Sequence, residues 1–549
     1  MDSIQFFVVA PRARLPQYPA PCFVLEQDNW NDFGFQTQYH LTHYARDAAG
    51  RLDATSIGPV KILRKGQTAD DPWTLSGSFQ HLSLEFCSVG QSLDYYERLG
   101  ELGEHGSSAL FALRDVAANR DLIPSYEMEL GWAKSLFRYH PEGGAPFLRQ
   151  AHGLATGEYI KAPGDLPEFS FHPTGWRQPV EMQSASGGPT EGFPGTSILP
   201  ERVNILVGRN GSGKSTFLAR LARVAYASAG KRSVRPLRDI GVLQPAGLGF
   251  PRIVNVAFSP FDSFMFPTTD ERNRGQIVKE MQSGSGRYTF IGLRDIAAEE
   301  QAVTSAPNVP LPPVGEPSAV ERQVMTRLKP MEQLADEFAA FSARINDEPN
   351  RLQTLQVALF KLGTEVADRS LFSSSGQIDV AQARAAFLNR STGHKITLLV
   401  VFGLAATLEV SSLVLIDEPE THLHPPLLAG LMHALREILR RHESSAVIAT
   451  HSPVVVQESL AKHVHVIRRE GEECSVSRVE SETFGESIGI ISAQVFGLQS
   501  DVMDFHQVLD KLIGQLGALE PIERLFMEGE LSHQARAYVL SRLAQRDAG

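Results

Sequence analysis

The sequence predicts an α/β fold, and three observations carry that prediction. Val203 to Val207 is a short, mostly apolar run, followed by a glycine-cornered turn and by helical spacing from Thr216 to Ala225. Two later runs, Leu413 to Ile416 and the SAVIAT segment before His451, are continuous apolar stretches that end in polar residues, as strands buried on both faces do. Around them strand-like runs alternate with helical periodicity, the pattern of strands joined by helical crossovers. A chain of 549 residues exceeds what one core usually supports, so two or more subdomains are expected.

Composition narrows the class. Lys and Arg number 52 against 63 Asp and Glu, a net charge of −11, which argues against a coat-like nucleic-acid binder but leaves room for a local basic groove. Cys22, Cys87 and Cys474 are odd in number and far apart. They exclude a disulfide scaffold and a CxxC metal site, and they fit a reducing cytoplasm. The N-terminal MDSIQFFVVAPRARLPQ lacks a basic leader and a cleavage pattern, so it does not read as a signal peptide. The longest uncharged apolar stretch, Ile396 to Leu408, is shorter than the roughly 20 residues that span a bilayer. A soluble, cytoplasmic protein with no membrane partner is expected.

Three regions follow. Residues 1–200 mix alternating and helical runs, and are expected to add N-terminal strands with a helical insertion to the main lobe. FGFQTQYHLTHY alternates, a turn-rich DAAGRLDAT follows, and TSIGPVKILRK reads as the return strand. From Leu93 to Phe137 the period is helical. The segment from Gln183 to Thr196 is a Gly/Ser/Pro-rich linker. Residues 201–480 form the α/β core, interrupted at about 261–380 by a polar, helical insertion with a Pro-rich stretch from Ala302 to Ala319. Residues 481–549 read as amphipathic helices.

The strongest local signal is Gly208, Arg209, Asn210, Gly211, Ser212, Gly213, Lys214, Ser215 and then Thr216, the G-x-x-x-x-G-K-[ST] pattern between a strand and a helix. The glycines let successive backbone N–H groups turn inward as an anion nest at a helix N-terminus. Lys214 adds a positive charge for β- and γ-phosphates, and the Ser215 hydroxyl suits Mg²⁺. Arg209 reads equally as a nucleotide contact or a solvated loop charge.

A second acidic site ends the Leu413 to Ile416 run in Asp417 and Glu418. At the C-terminal end of a buried strand, Asp417 would hold Mg²⁺ and Glu418 would orient and deprotonate an attacking water. Thr450, His451 and Ser452 follow the next strand, where His451 could sense a γ-phosphate. His422 and His424 form an HxH that would need a third ligand to hold a metal. Ser391, Gly393 and Lys395 open a long apolar helix whose free N–H groups could meet an anion.

Together, GRNGSGKS, RSTGHK, VLIDEPETHLHP and ATHSP resemble the ABC-type ATPase heads of the OLD, RecF and SMC class over roughly residues 200–460. The resemblance implies an ABC-type P-loop ATPase head, with a mixed sheet lobe and a helical lobe, that uses ATP and Mg²⁺. It makes Glu418 and His451 the catalytic pair and Ser391, Gly393 and Lys395 the signature that reaches the γ-phosphate of the opposite protomer. The implied state is a nucleotide-sandwiched homodimer. Arg390 stands where the usual signature has Leu, and His394 where an acid is common. No glutamine follows VNVAFSPFDSF, so Ser259 or Asp262 is left to fill that loop's role.

AFSPFDSF and RYTFIGLR, with the DEPETHLHP box, look similar to PtuA-type ATPases of Septu and retron-associated antiphage systems. That likeness implies an HNH nuclease as effector and admits a reverse transcriptase/msDNA complex as partner. Two other readings stand beside it. Arg220, Arg223, Lys231, Arg232, Arg235 and Arg238 lie in a segment without acids, and would contact DNA phosphates in a DNA-clamping repair ATPase or simply face solvent. A transporter ATPase lacks support, since the box after Glu418 has no SALD-like continuation.

Overall fold

The computed structural model describes residues 4–11, 20–28, 32–46, 50–140, 144–156, 168–183, 199–268, 271–305, 326–363, 371–495 and 504–547. The Gln183–Thr196 linker and the Pro-rich Ala302–Ala319 stretch fall mostly outside these residues.

Residues 1–200 contribute to two different sheets. Strands β1 (Phe6–Val9), β2 (Cys22–Gln27), β3 (Gln38–Arg46), β4 (Leu52–Arg64), β5 (Ser78–Phe79) and β6 (Phe86–Gly90) form a six-stranded sheet in the order β5-β1-β2-β3-β4-β6. Alternation is visible in β3, where Tyr39, Leu41 and His43 turn inward between half-buried neighbours. Helix α1 (Leu93–Glu101) and the helices at 104–112 and 145–156 close over this sheet, and the unit has its own apolar core. The helical run expected through Phe137 is broken by Gly103, at φ 57°, and ends in short turns. The six strands pair with one another in a sheet separate from the main one.

Strands β7 (Phe169–Pro173) and β8 (Val180–Met182) belong to the head's surroundings, joined to β10 (Gly241–Gln244) in a three-stranded antiparallel sheet. The main sheet holds β9 (Val203–Val207), β11 (Ile253–Ala257), β12 (Tyr288–Gly292), β13 (Leu413–Asp417), β14 (Ser445–Thr450), β15 (Val464–Glu470) and β16 (Glu473–Arg478). Their order is β12-β11-β13-β14-β9-β15-β16, all parallel except β16. The insertion at 261–380 is thus not wholly helical: RYTFIGLR supplies edge strand β12, paired with β11 from Tyr288 to Gly292.

The two-residue pleat of these strands feeds two cores. Val203, Ile205 and Val207 of β9, Val414 and Ile416 of β13, and Ala446 and Ile448 of β14 enter one core. Leu206, Leu413, Leu415, Val447 and Ala449 enter the other. Helix α2 (Lys214–Tyr226) covers the second face. Helix α3 (Glu271–Ser283) follows β11.

A helical layer covers the first face: α4 (Met331–Asp347), α5 (Pro349–Leu362), α6 (Val380–Asn389), α7 (Thr392–Thr407) and α8 (Pro425–Arg441). Helix α7 is buried on every side from Ile396 to Thr407, which accounts for its unbroken apolar composition. Truncating one of its leucines to alanine should cost about 2–5 kcal/mol.

Buried ion pairs join the N-terminal unit to the head, all from one face of α1. Arg98 meets Glu280 of α3 at 2.7 Å, Asp94 meets Arg287 at 3.0 Å, and Glu97 meets Arg252. Beyond the sheet, α9 (Asp504–Leu516) and α10 (His533–Asp547) pack round a small core of Leu509, Ile513, Ile522, Leu531 and Val539. No helix among the described residues is long and apolar enough to cross a membrane.

Candidate nucleotide-binding site

The sheet register brings three strand ends together. Asp417 of β13 lies beside Ala449 of β14, and Thr450 of β14 lies beside Val207, the last residue of β9. The turn after β9 therefore opens at the carboxyl edge of a parallel sheet, where α/β folds bind ligands.

Glycine is required in that turn for two separate reasons. A Cβ on Gly208 would stand 2.4 Å from the Ile467 carbonyl oxygen and 2.8 Å from Ser212 Oγ. Gly213, the residue that enters α2, has φ 102°, in the left-handed region. Arg209, Asn210, Gly211 and Thr216 are exposed, whereas Ser212 and Lys214 are buried. Lys214 curls back so that Nζ donates to the carbonyls of Gly208 at 2.9 Å and Arg209 at 3.3 Å. Burial lowers its pKa below the ordinary lysine value, opposed by Glu418, Asp417 and Glu420. Cys474 of β16 supports the loop from behind, its Sγ donating to the Ser212 carbonyl at 3.5 Å. Nothing in the local sequence announces that contact, which joins residues 262 apart.

Ser215 Oγ donates to Asp417 Oδ1 at 3.0 Å. Burial pushes the Asp417 carboxyl up to about 7; the Ser215 bond opposes this, and repulsion from Glu418 and Asp262 adds to it. A hydroxyl beside a carboxylate, with Lys214 near enough to act on that carboxylate, is a hard-oxygen donor set. It fits Mg²⁺, which keeps water and phosphate as its remaining ligands.

Glu418 follows in the left-handed region, at φ 50°, held there by its N–H donating to the Ala449 carbonyl at 2.8 Å. Its Oε2 lies 3.3 Å from His451 Nε2. The His451 hydrogen bond holds Glu418 below the usual carboxylate range, and Glu418 raises the imidazole in return. Glu420, which the sequence reading passed over, accepts from Thr450 Oγ1 and from the His451 backbone N–H. The doubled acid of D-E-P-E was the available signal.

Ser391 caps α7, accepting from the His394 N–H at 3.4 Å, and its hydroxyl lies 2.8 Å from His394 Nδ1. Gly393 lies against the box after Glu418: a Cβ there would be 3.1 Å from the His422 carbonyl oxygen. Among the described residues no hydrogen bond or ion pair is recorded from Ser391, Gly393 or Lys395 to the phosphate loop. His422 is exposed at φ 67°, and His424 caps α8, its Nδ1 accepting from the Leu427 N–H at 3.3 Å.

Of the two loop candidates after β11, Ser259 Oγ accepts from the Phe261 N–H at 3.1 Å. Asp262 is buried against Arg294 at 2.7 Å and adds to the field at Asp417. The basic segment does not present a solvated face throughout. Arg232 is turned inward onto the carbonyls of Val224, Ala225 and Leu248. Arg223 is buried, Arg220 donates to the Thr174 carbonyl, and Arg235 and Arg238 pair with Asp239. Lys231 stays exposed.

A strand, a phosphate loop and a helix, with a serine–aspartate pair and a glutamate–histidine pair at the same sheet edge, define a P-loop ATPase head. Residues 203–457 match the family described as "AAA domain, putative AbiEii toxin, Type IV TA system". Over its whole length the chain is 28% identical to Protein ea59 of Escherichia phage lambda, covering 99% of that protein. It is 29% identical to Septu protein PtuA of Bacillus thuringiensis over 131 residues, 20% of this chain and 33% of that one. Among solved structures, UvrA2 from Deinococcus radiodurans aligns with 61% of this chain and 40% of its own, at 17% identity and a TM-score of 0.27.

Proposed function

We propose that this protein is a cytoplasmic, Mg²⁺-dependent ATPase acting as a nucleotide-controlled dimeric switch in a bacterial antiphage defence complex, where it governs an associated effector such as an HNH nuclease. The observation that carries the reading is the convergence of Lys214, the Ser215–Asp417 pair and the Glu418–His451 pair at one sheet edge. The loop N–H groups and Lys214 bind the β- and γ-phosphates. Ser215 and Asp417 would hold Mg²⁺, which would neutralise charge on the phosphate oxygens. Glu418, kept ionised by His451, takes the proton of the water that attacks the γ-phosphorus as the bond to the β–γ bridging oxygen breaks, giving ADP and phosphate. His451 holds Glu418 in place and faces the same phosphate.

Ser391, Gly393 and Lys395 complete the site of a second copy related by a two-fold axis. The likeness to a Septu protein supports the defence setting, over the fifth of the chain that it spans.

The tests are direct. Lys214→Ala should abolish nucleotide binding. Glu418→Gln should keep ATP and stop hydrolysis, and mass photometry should find it dimeric with ATP and monomeric without. Both variants should lose phage protection in cells carrying the operon. Intact protection or hydrolysis in either variant overturns the ATP-driven reading.

A further inference from the structure

Beside the Glu418–His451 pair stands a third carboxylate that neither the phosphate loop nor the Ser215–Asp417 pair uses. Both oxygens of Glu420 lie 2.8 Å from Thr450 Oγ1, so the carboxylate accepts the hydroxyl proton on either oxygen. Oε1 also accepts from the His451 backbone N–H at 2.8 Å and lies 3.9 Å from His451 Nε2. Thr450 Oγ1 in turn accepts from the Ser452 N–H at 2.9 Å. Glu420 thus closes the 417–420 turn onto the end of β14, and it is only half-buried at a point where Thr450 is fully buried.

The turn needs such an anchor. Glu418 holds a left-handed backbone that a residue with a Cβ adopts at a cost, and conformations of this kind persist only where the surroundings over-determine them. One fastening is the Glu418 N–H bond to Ala449. Glu420 is another, two residues on, and it grips both the last residue of β14 and the histidine's own backbone.

We propose that Glu420 is the positioning residue of the hydrolytic pair, clamping the turn that carries Glu418 to the backbone that carries His451. This inference rests on the ATPase reading of the site. Glu418 and Glu420 face the imidazole with negative charge, and Lys214 opposes them with positive charge. Removing the Glu420 charge therefore lets His451 lose its proton at lower pH, whereas removing its hydrogen bonds lets the pair drift apart.

The experiment uses the full chain with Glu420→Gln and Glu420→Ala, measuring Mg-ATP hydrolysis between about pH 5.5 and 9 and binding of a fluorescent ADP. Glu420→Gln keeps an acceptor oxygen and loses the charge. It should bind ADP as the wild type does, keep KM within about twofold, lose about tenfold in kcat, and show its alkaline limb at lower pH. Glu420→Ala should lose about a hundredfold in kcat with ADP binding retained. If Glu420→Ala does not fold, Glu420→Gln alone decides. Wild-type kcat and pH profile in Glu420→Gln overturns the assignment, as does a KM that rises in step with the loss of kcat. A wild-type protein that neither binds nor hydrolyses ATP overturns the ATPase reading itself, a distinct outcome.

Discussion

Replacing Asp417 by Asn should stabilise the protein in the absence of metal and nucleotide, by an amount that grows with pH. Asp417 is 7% exposed, and its carboxyl is raised from 3.8 to about 7 in the folded chain. The folded state therefore keeps a proton that the unfolded chain has released. The group's contribution to stability falls as pH rises from about 4 to about 7, and the loss is complete above that window. A shift of about 3 units at 1.36 kcal/mol each gives a penalty on the order of 4 kcal/mol at pH 8. At pH 5, where the folded carboxyl is still protonated, linkage leaves about 2 kcal/mol.

Asn has no proton to lose, and its carbonyl oxygen still accepts from the Ser215 hydroxyl, now 3.0 Å from Asp417 Oδ1. The assay is urea unfolding of wild type and Asp417→Asn at pH 5 and pH 8 in chelator. The variant should be the more stable at both, with a gap about 2 kcal/mol wider at pH 8. Mg-ATP at a hundredfold over Kd adds about 2.7 kcal/mol only to the protein that binds it, so it should reverse the order at pH 5 and narrow the gap to about 1 kcal/mol at pH 8. A variant less stable than wild type at pH 8, or a gap that does not change with pH, refutes the reasoning.

Two further outcomes are expected. Arg294→Met removes a side chain that is 1% exposed and strands Asp262 and Glu299, which it meets at 2.7 and 2.6 Å; it should cost about 3–5 kcal/mol by chemical denaturation, and a loss below about 1 kcal/mol would contradict the pairing. Gly393→Ala places a Cβ 3.1 Å from the His422 carbonyl oxygen, offset by the better helix propensity of alanine, so stability should stay within about 1 kcal/mol while steady-state hydrolysis falls; unchanged hydrolysis would show that the 422 turn tolerates the shift.

Much of the site was legible because it is local. The β9 run, the glycines and the first turn of α2 are contiguous, and Gly213 turns left-handed; the clash a Cβ at Gly208 would make with Ile467 is the part of the loop that is not local. The β13 and β14 runs were legible because strands buried on both faces must be apolar throughout. Strand β12 was not, because five residues between polar flanks carry no period that separates them from the helical insertion around them. That the N-terminal strands pair in a sheet of their own was not legible for a related reason: alternation shows that a strand exists, not which edge it joins.

The sequence by itself determined the phosphate loop, the acids that end a buried strand, the histidine that ends its neighbour, and the α/β class they imply. Only the tertiary structure decided that Ser215 meets Asp417 across 202 residues, that Glu420 fastens His451, and that Arg232 spends its charge inside the fold. The division has a physical cause. Backbone conformation and burial pattern depend on neighbours along the chain, whereas a carboxylate's partner is whatever the strand order and register bring within 3 Å of it.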